Sequence, residues 1–218
     1  MIHKLTPVAF GTVATLLLGL LAGCANNGPA GPSSVQTPAP DAICADLVAK
    51  AGLTQTTLTT SYVAGGSKRA GGAPTGELLP GHCVVTGSIR PHVGVDGKNY
   101  ATGFQLSLPD NWNGRFLYLG GGGNDGILRD TSLSSSISIG TPSPLGQGFA
   151  VVPTDAGHQG QSGSFALDPL ARFEHAFDSH DRTAQAAKAL IRLRYGRKPD
   201  WSYFSGCSGG GRQGMMFT

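Results

Sequence analysis

Ser208 stands between two glycines in the run Tyr203-Phe204-Ser205-Gly206-Cys207-Ser208-Gly209-Gly210-Gly211-Arg212-Gln213-Gly214, a G-x-S-x-G pattern. A serine alcohol is a weak nucleophile until a neighbouring base takes its proton. The surroundings of Ser208 suit that use. Trp201 to Ser205 is a short apolar strand pattern, and a helix start follows. The flanking glycines permit a turn too sharp for side chains. Strand, turn and helix in this order form a nucleophile elbow, which lifts one hydroxyl above the end of a sheet. The chemistry implied is acyl transfer. That reaction builds negative charge on a carbonyl oxygen, and backbone N–H groups aimed at it lower the barrier, roughly 3–4 kcal/mol for one donor. The residue after the nucleophile, Gly209, supplies one such N–H. A second is expected from a glycine-rich loop after an earlier strand. Gly120 to Gly123, directly after the strand pattern Arg115 to Leu119, stands in that place.

Other readings of these motifs fare worse. Gly121, Gly123 and Gly126 fit G-x-G-x-x-G, but the following Asp130 to Pro144 is rich in Ser, Thr, Gly and Pro and lacks the helix that a dinucleotide site needs. Gly206 to Gly211 followed by Arg212-Gln213 lacks the Lys and Ser/Thr of a phosphate-binding loop. Cys207 occupies the x position of the elbow, where a structural role is expected, although a cysteine nucleophile would make the protein a thioesterase. His158, in Asp155-Ala156-Gly157-His158, is read as an internally hydrogen-bonded residue. Arg212 is expected to pair or cap locally, and His175 and His180 to be packing or surface residues.

The elements that position these residues follow from periodicity. Asp41 to Leu53 reads as a helix with Asp41 as N-cap, and Ile43, Leu47 and Val48 on one face. Thr54 to Gly81 is turn-rich and receives no assignment. Cys83 to Ile89 and Tyr100 to Leu108 read as strands, the second with Phe104, Leu106 and Leu108 alternating with polar residues. Phe149 to Val152 is a further strand. Ala171 to Tyr195 is the strongest helix, its apolar stripe running Phe173, Phe177, His180, Ala184, Ala187 and Ile191, with Gly196 as its cap. Strand, long helix, strand, elbow and helix predict an α/β fold with a mostly parallel sheet flanked by helices, of α/β-hydrolase type.

In that fold the triad runs Ser, then Asp or Glu, then His. All six histidines precede Ser208, and no acid follows it. The 218 residues are therefore expected to be the front part of a longer protein, cut after the elbow. At the other end, Lys4 and the apolar Val8 to Leu21 form a signal segment too short to span a bilayer comfortably. It closes in Leu21-Ala22-Gly23-Cys24, which looks like a lipobox with Cys24 as the lipidated residue. The other reading is an ordinary secretory signal; in either case the chain is exported. Residues 1–23 are thus assigned as signal, 24–40 as a flexible tether, and 41–218 as the folded part. Without the signal the net charge falls from +3 to +2, which argues for neither a nucleic-acid nor an acidic partner. Cys44 and Cys83 could pair in an oxidising compartment, which leaves Cys207 over and suggests a missing partner or a reactive thiol; a missing partner fits the missing Asp and His.

Together these residues resemble the tannase and feruloyl esterase family. The matching pieces are the elbow run, Asn113-Gly114-Arg115-Phe116, Thr154-Asp155-x-Gly157-His158 and Tyr195-Gly196, and the likeness covers roughly Cys44 to Thr218. The resemblance implies that Ser208 is the nucleophile, that Gly209 and Gly123 are oxyanion donors, and that Cys44 pairs with Cys83. It further implies that Cys207 bonds a cysteine beside the catalytic histidine. The catalytic Asp, that His-Cys pair and a lid domain that often binds calcium would then lie beyond residue 218, with no cofactor in this stretch. The implied substrate is a small aromatic ester of the tannin, feruloyl or terephthalate mono-ester type. Gly209 departs from the Thr or Glu common in relatives. A non-catalytic exported lipoprotein with the same fold is the alternative.

Overall fold

Strong β-formers at two residues per turn and one long alanine-rich helix produce a six-stranded mixed sheet with helices against it. The computed structural model describes residues 38–68, 77–131 and 142–218. They belong to one compact unit, Thr37–Thr218. The signal segment, Cys24 and most of the tether lie outside the described residues.

Helix α1 spans Pro40–Lys50. Its N-cap is Ala39, two residues before the expected Asp41, and Pro40 lies in the first turn, where its missing N–H costs nothing. Cys44 and Leu47 face the core, while Val48 is exposed. The disulfide explains this rotation. Cys44 is bonded to Cys83 with Cα atoms 5.5 Å apart, which turns the Cys44 face inward.

Strands β1 (Thr56–Val63), β2 (Ser67–Lys68), β3 (Leu78–Leu79), β4 (His82–Val93), β5 (Asn99–Pro109), β6 (Arg115–Leu119), β7 (Ala150–Pro153) and β8 (Trp201–Ser205) follow. β2 and β3 form a separate small pair, and the main sheet has the order β1-β4-β5-β7-β6-β8. Pairing is antiparallel from β1 through β7 and parallel among β7, β6 and β8. The α/β architecture predicted from the sequence is present, with a mixed sheet where a mostly parallel one was expected. The antiparallel half includes β1, in the stretch left unassigned, where alternate residues are only half-buried and the apolar signal is weak. Phe104, Leu106 and Leu108 are fully buried in the core with Phe116, Leu190 and Ile191.

The long helix departs from its expected form. It consists of α2 (Pro169–Phe173), a π-helical turn over Glu174–Asp178, and α3 (Ser179–Tyr195). The wide turn inserts a residue and rotates everything before it. Phe173 and Phe177 are consequently 50% and 39% exposed, instead of lying in the buried stripe, and Glu174 and Asp178 turn inward. Thr183, Ala187, Leu190 and Ile191 carry the buried face of α3. Gly196 closes it in the left-handed conformation, its N–H donating to the Arg192 carbonyl. Opposite the wide turn, β4 carries a bulge between Ile89 and His92, with Arg90 at φ 49°. The two irregularities meet: Arg90 Nη1 lies 3.0 Å from Asp178 Oδ2 and 3.8 Å from Glu174 Oε1.

Candidate active site

Parallel pairing of β6 with β8 sets the site. Leu119 is opposite Ser205, so the strands end together and their following loops leave side by side. The Gly120 N–H donates to the Ser205 carbonyl at 2.8 Å. After β8 the chain turns through Gly206, Cys207 and Ser208 into the short helix α4 (Gly209–Gly214). Ser208 has φ 56° and ψ −119°, a conformation rare for a residue with a side chain. Its side chain is exposed and makes no hydrogen bond among the described residues. Cys207 is exposed and its thiol is free.

The glycine loop and the elbow touch backbone to backbone. A Cβ on Gly210 would sit 2.7 Å from the Gly121 carbonyl oxygen, and one on Gly120 would sit 3.1 Å from Gly210 Cα. Only glycines permit this approach. The predicted pair Gly209 and Gly123 is brought together as well: a Cβ on Gly209 would lie 3.3 Å from Gly123 N and 2.8 Å from its carbonyl oxygen. A side chain at 209 therefore requires the loop to shift. Phe204 supports the junction from below, packed with Tyr118 and Phe217 at ring distances of 5.7 and 5.4 Å.

Three loop N–H groups are occupied. That of Gly120 goes to Ser205, that of Gly121 to Gln213 Oε1 at 2.9 Å, and that of Gly122 to Asp125 Oδ1 at 2.9 Å. Gly123 N–H has no partner among the described residues. Neither does Gly209 N–H, which as the first residue of a helix has no intrahelical acceptor.

Behind this junction lies a buried polar layer that periodicity did not reveal. Gln213 is fully buried and donates from Nε2 to Asp125 Oδ2 at 2.6 Å. Burial raises the Asp125 carboxyl above its ordinary range, against the Gly122 N–H and the nearby Arg212 and Arg129 cations, which hold it down. Arg212 donates to His175 Nε2 at 3.1 Å, so that nitrogen is the bare one and the proton sits on Nδ1, 3.9 Å from Asp125. Burial, and then the Arg212 charge, push His175 down to about 4. His180 is likewise neutral, lowered to about 4 by burial. Its Nε2–H donates to the His175 carbonyl, and its Nδ1 faces the Tyr118 hydroxyl at 3.2 Å. Arg212 therefore reaches out of the elbow helix to the π turn, where local pairing or capping was expected.

The Thr154–His158 segment braces the loop from the β7 side. The Asp155 carbonyl accepts from Gly126 N–H at 2.9 Å, and its carboxylate accepts from Gly103 and Gly157 N–H at 2.8 and 3.0 Å. Burial raises Asp155 to about 7 and Glu174 to about 7. His158 is buried and stacks on Phe165 at 3.9 Å, with its charged form disfavoured by burial. The internal hydrogen bond expected for it is not made: neither ring nitrogen has a hydrogen-bond partner among the described residues, and the ring is held in the core by stacking. Among the described residues no group of three or more His, Cys, Asp or Glu could hold a metal ion, and no helix is long and apolar enough to cross a membrane.

Known proteins resemble this chain in sequence and in fold. Residues 83–218 fit the family model described as tannase and feruloyl esterase. A mono(2-hydroxyethyl) terephthalate hydrolase of Piscinibacter sakaiensis is 42% identical over 150 residues, covering 64% of this chain and 24% of that protein. The crystal structure of feruloyl esterase B from Aspergillus oryzae superposes with a TM-score of 0.64 at 27% identity, over 80% of this chain and 33% of that one. A tannin acyl hydrolase from Aspergillus niger gives a TM-score of 0.53 at 25% identity, over 81% and 33%. The chain spans about a quarter of the length of the curated relatives it matches. The family model covers more than half of the chain, and the chain belongs to the tannase and feruloyl esterase family.

Proposed function

We propose that the protein is an exported serine esterase that hydrolyses small aromatic carboxylic esters. The observation that carries this reading is the backbone of Ser208, held at φ 56° on an exposed turn against a glycine loop. Strain of this kind persists where the surroundings enforce it, and it is characteristic of a presented nucleophile. Ser208 Oγ attacks the ester carbonyl carbon and gives its proton to a general base. The N–H groups of Gly209 and Gly123 receive the developing oxyanion. The C–O bond breaks, the alcohol leaves with that proton, and an acyl-serine remains. Water then attacks the acyl carbon, releasing the acid and restoring the alcohol.

The chain spans about a quarter of the length of the relatives it matches, and the base in this reading is a histidine encoded beyond residue 218. Cys207 pairs with a cysteine beside it. Cys24 carries the lipid that tethers the exported enzyme. The names of the relatives, a terephthalate mono-ester hydrolase, feruloyl esterases and a tannin acyl hydrolase, support the aromatic ester class.

The test uses the full-length protein with an aromatic nitrophenyl ester. Ser208→Ala is expected to lower kcat by at least about a thousandfold. A serine-directed phosphonate should label Ser208. Undiminished turnover in Ser208→Ala, or labelling at Cys207 in its place, would overturn the assignment.

A further inference from the structure

Four consecutive glycines have no side chains to define their path, yet the Gly120–Gly123 loop must present one particular N–H. The structure places two buried side chains that define it from outside. Gln213, on the inner face of α4, accepts the Gly121 N–H through Oε1 and donates from Nε2 to Asp125 Oδ2. Asp125, just beyond the loop, accepts the Gly122 N–H through Oδ1. The amide can be oriented only one way, because the opposite rotamer would set its NH2 against the Gly121 N–H and its oxygen against the carboxylate. Both side chains are at least nine-tenths buried. The elbow helix is thereby fastened to the glycine loop, and two of the loop's N–H groups are consumed, leaving the next one free.

We propose, resting on the esterase reading above, that Gln213 and Asp125 are positioning residues. Their clasp selects Gly123 N–H as the loop's oxyanion donor and holds it beside Gly209 N–H. Neither residue touches the substrate in this arrangement, and each acts through backbone it holds. A loop free to rotate would expose Gly121 or Gly122 N–H at random and would misplace the donor by an ångström or more, a displacement that costs about a hundredfold in rate.

The polarity of the clasp supplies its own control. Gln213→Glu sets two carboxylates face to face. Asp125→Asn sets two amide NH2 groups face to face. Combining them restores every hydrogen bond: Glu at 213 accepts from Gly121 N–H and from the new amide, while Asn at 125 still accepts from Gly122 N–H. The experiment measures kcat and KM of the full-length protein for an aromatic nitrophenyl ester. Each single variant is expected to lose about a hundredfold in kcat with KM within about threefold, and the double variant to recover at least about tenfold. Residue-resolved hydrogen exchange of the unaltered protein is expected to show Gly121 and Gly122 amides protected at least about tenfold more than Gly123.

Single variants within about threefold of the parent kcat would refute the clasp. So would a double variant no better than the singles, or Gly121 and Gly122 amides exchanging as fast as Gly123. Should the singles fail to fold, the exchange result and the double variant decide. Ser208→Ala, assayed alongside, separates the two proposals: if it retains turnover the esterase reading falls, whereas its inactivity together with active single variants removes the clasp alone.

Discussion

Replacing Ser208 by glycine and by alanine separates the strain of the elbow from its chemistry. Both changes remove the hydroxyl. Alanine keeps the Cβ that is disfavoured at φ 56°, and glycine does not. A residue held in so sparsely populated a region stores about 1–3 kcal/mol. Glycine returns roughly 0.5–1 kcal/mol of this by enlarging the conformational freedom of the unfolded chain. Nothing else offsets the comparison, because Ser208 is exposed and its hydroxyl has no partner among the described residues. The full-length Ser208→Gly protein should therefore be more stable than Ser208→Ala by about 1 kcal/mol, and at most by about 2.5. Both should be inactive. Urea unfolding of the two variants, followed by fluorescence, measures the difference. An alanine variant as stable as the glycine variant would mean that the turn is relaxed, and the inference from backbone strain to a presented nucleophile would fail.

Further outcomes are expected. Gly210→Ala forces a Cβ to within 2.7 Å of the Gly121 carbonyl, and should cost about 1–3 kcal/mol of stability, with a fall in kcat that Gly211→Ala, open on its outer side, does not share. Cys83→Ala opens a loop with a sequence separation of 39 and should cost about 4 kcal/mol in chemical unfolding. Asp155 and Glu174 hold their protons in the fold to about pH 7, whereas the unfolded chain releases them near their ordinary 3.8 and 4.5. Their contribution is therefore largest below pH 4 and is lost as the pH rises through 7, by roughly 4 kcal/mol for Asp155. Asp155→Asn, an uncharged near-isostere, should flatten the fall in stability between about pH 4 and 7; an unchanged slope would show that this carboxyl is not the group titrating.

Much of the site was legible because turn chemistry is local. The glycines around Ser208, the apolar β6 and β8 and the glycine run after β6 each announce themselves within a few residues, and parallel pairing brings them together. The disulfide was legible from cysteine count and resemblance. What escaped depends on distant partners. Gln213 looks like one polar residue of a short helix until Gly121 and Asp125 arrive from β6. β1 carries threonines on a half-buried edge, where alternation is faint. Phe173 and Phe177 fit an unbroken helix perfectly well, and no local signal marks the extra residue that turns them outward.

The meeting of Arg90 with Asp178 and Glu174 joins a surplus residue in β4 to a surplus residue in the π turn. Deleting one position from the turn alone would swing its acids about 100° away from the guanidinium, leaving Arg90 without the two carboxyls it meets beneath the sheet. Deleting one position from the strand alone would aim the arginine at the opposite face. Only a matched loss of both would restore regular elements with their neighbours intact. The two insertions should accordingly be inherited as a unit, so that an alignment of descendants showing a gap at one shows a gap at the other.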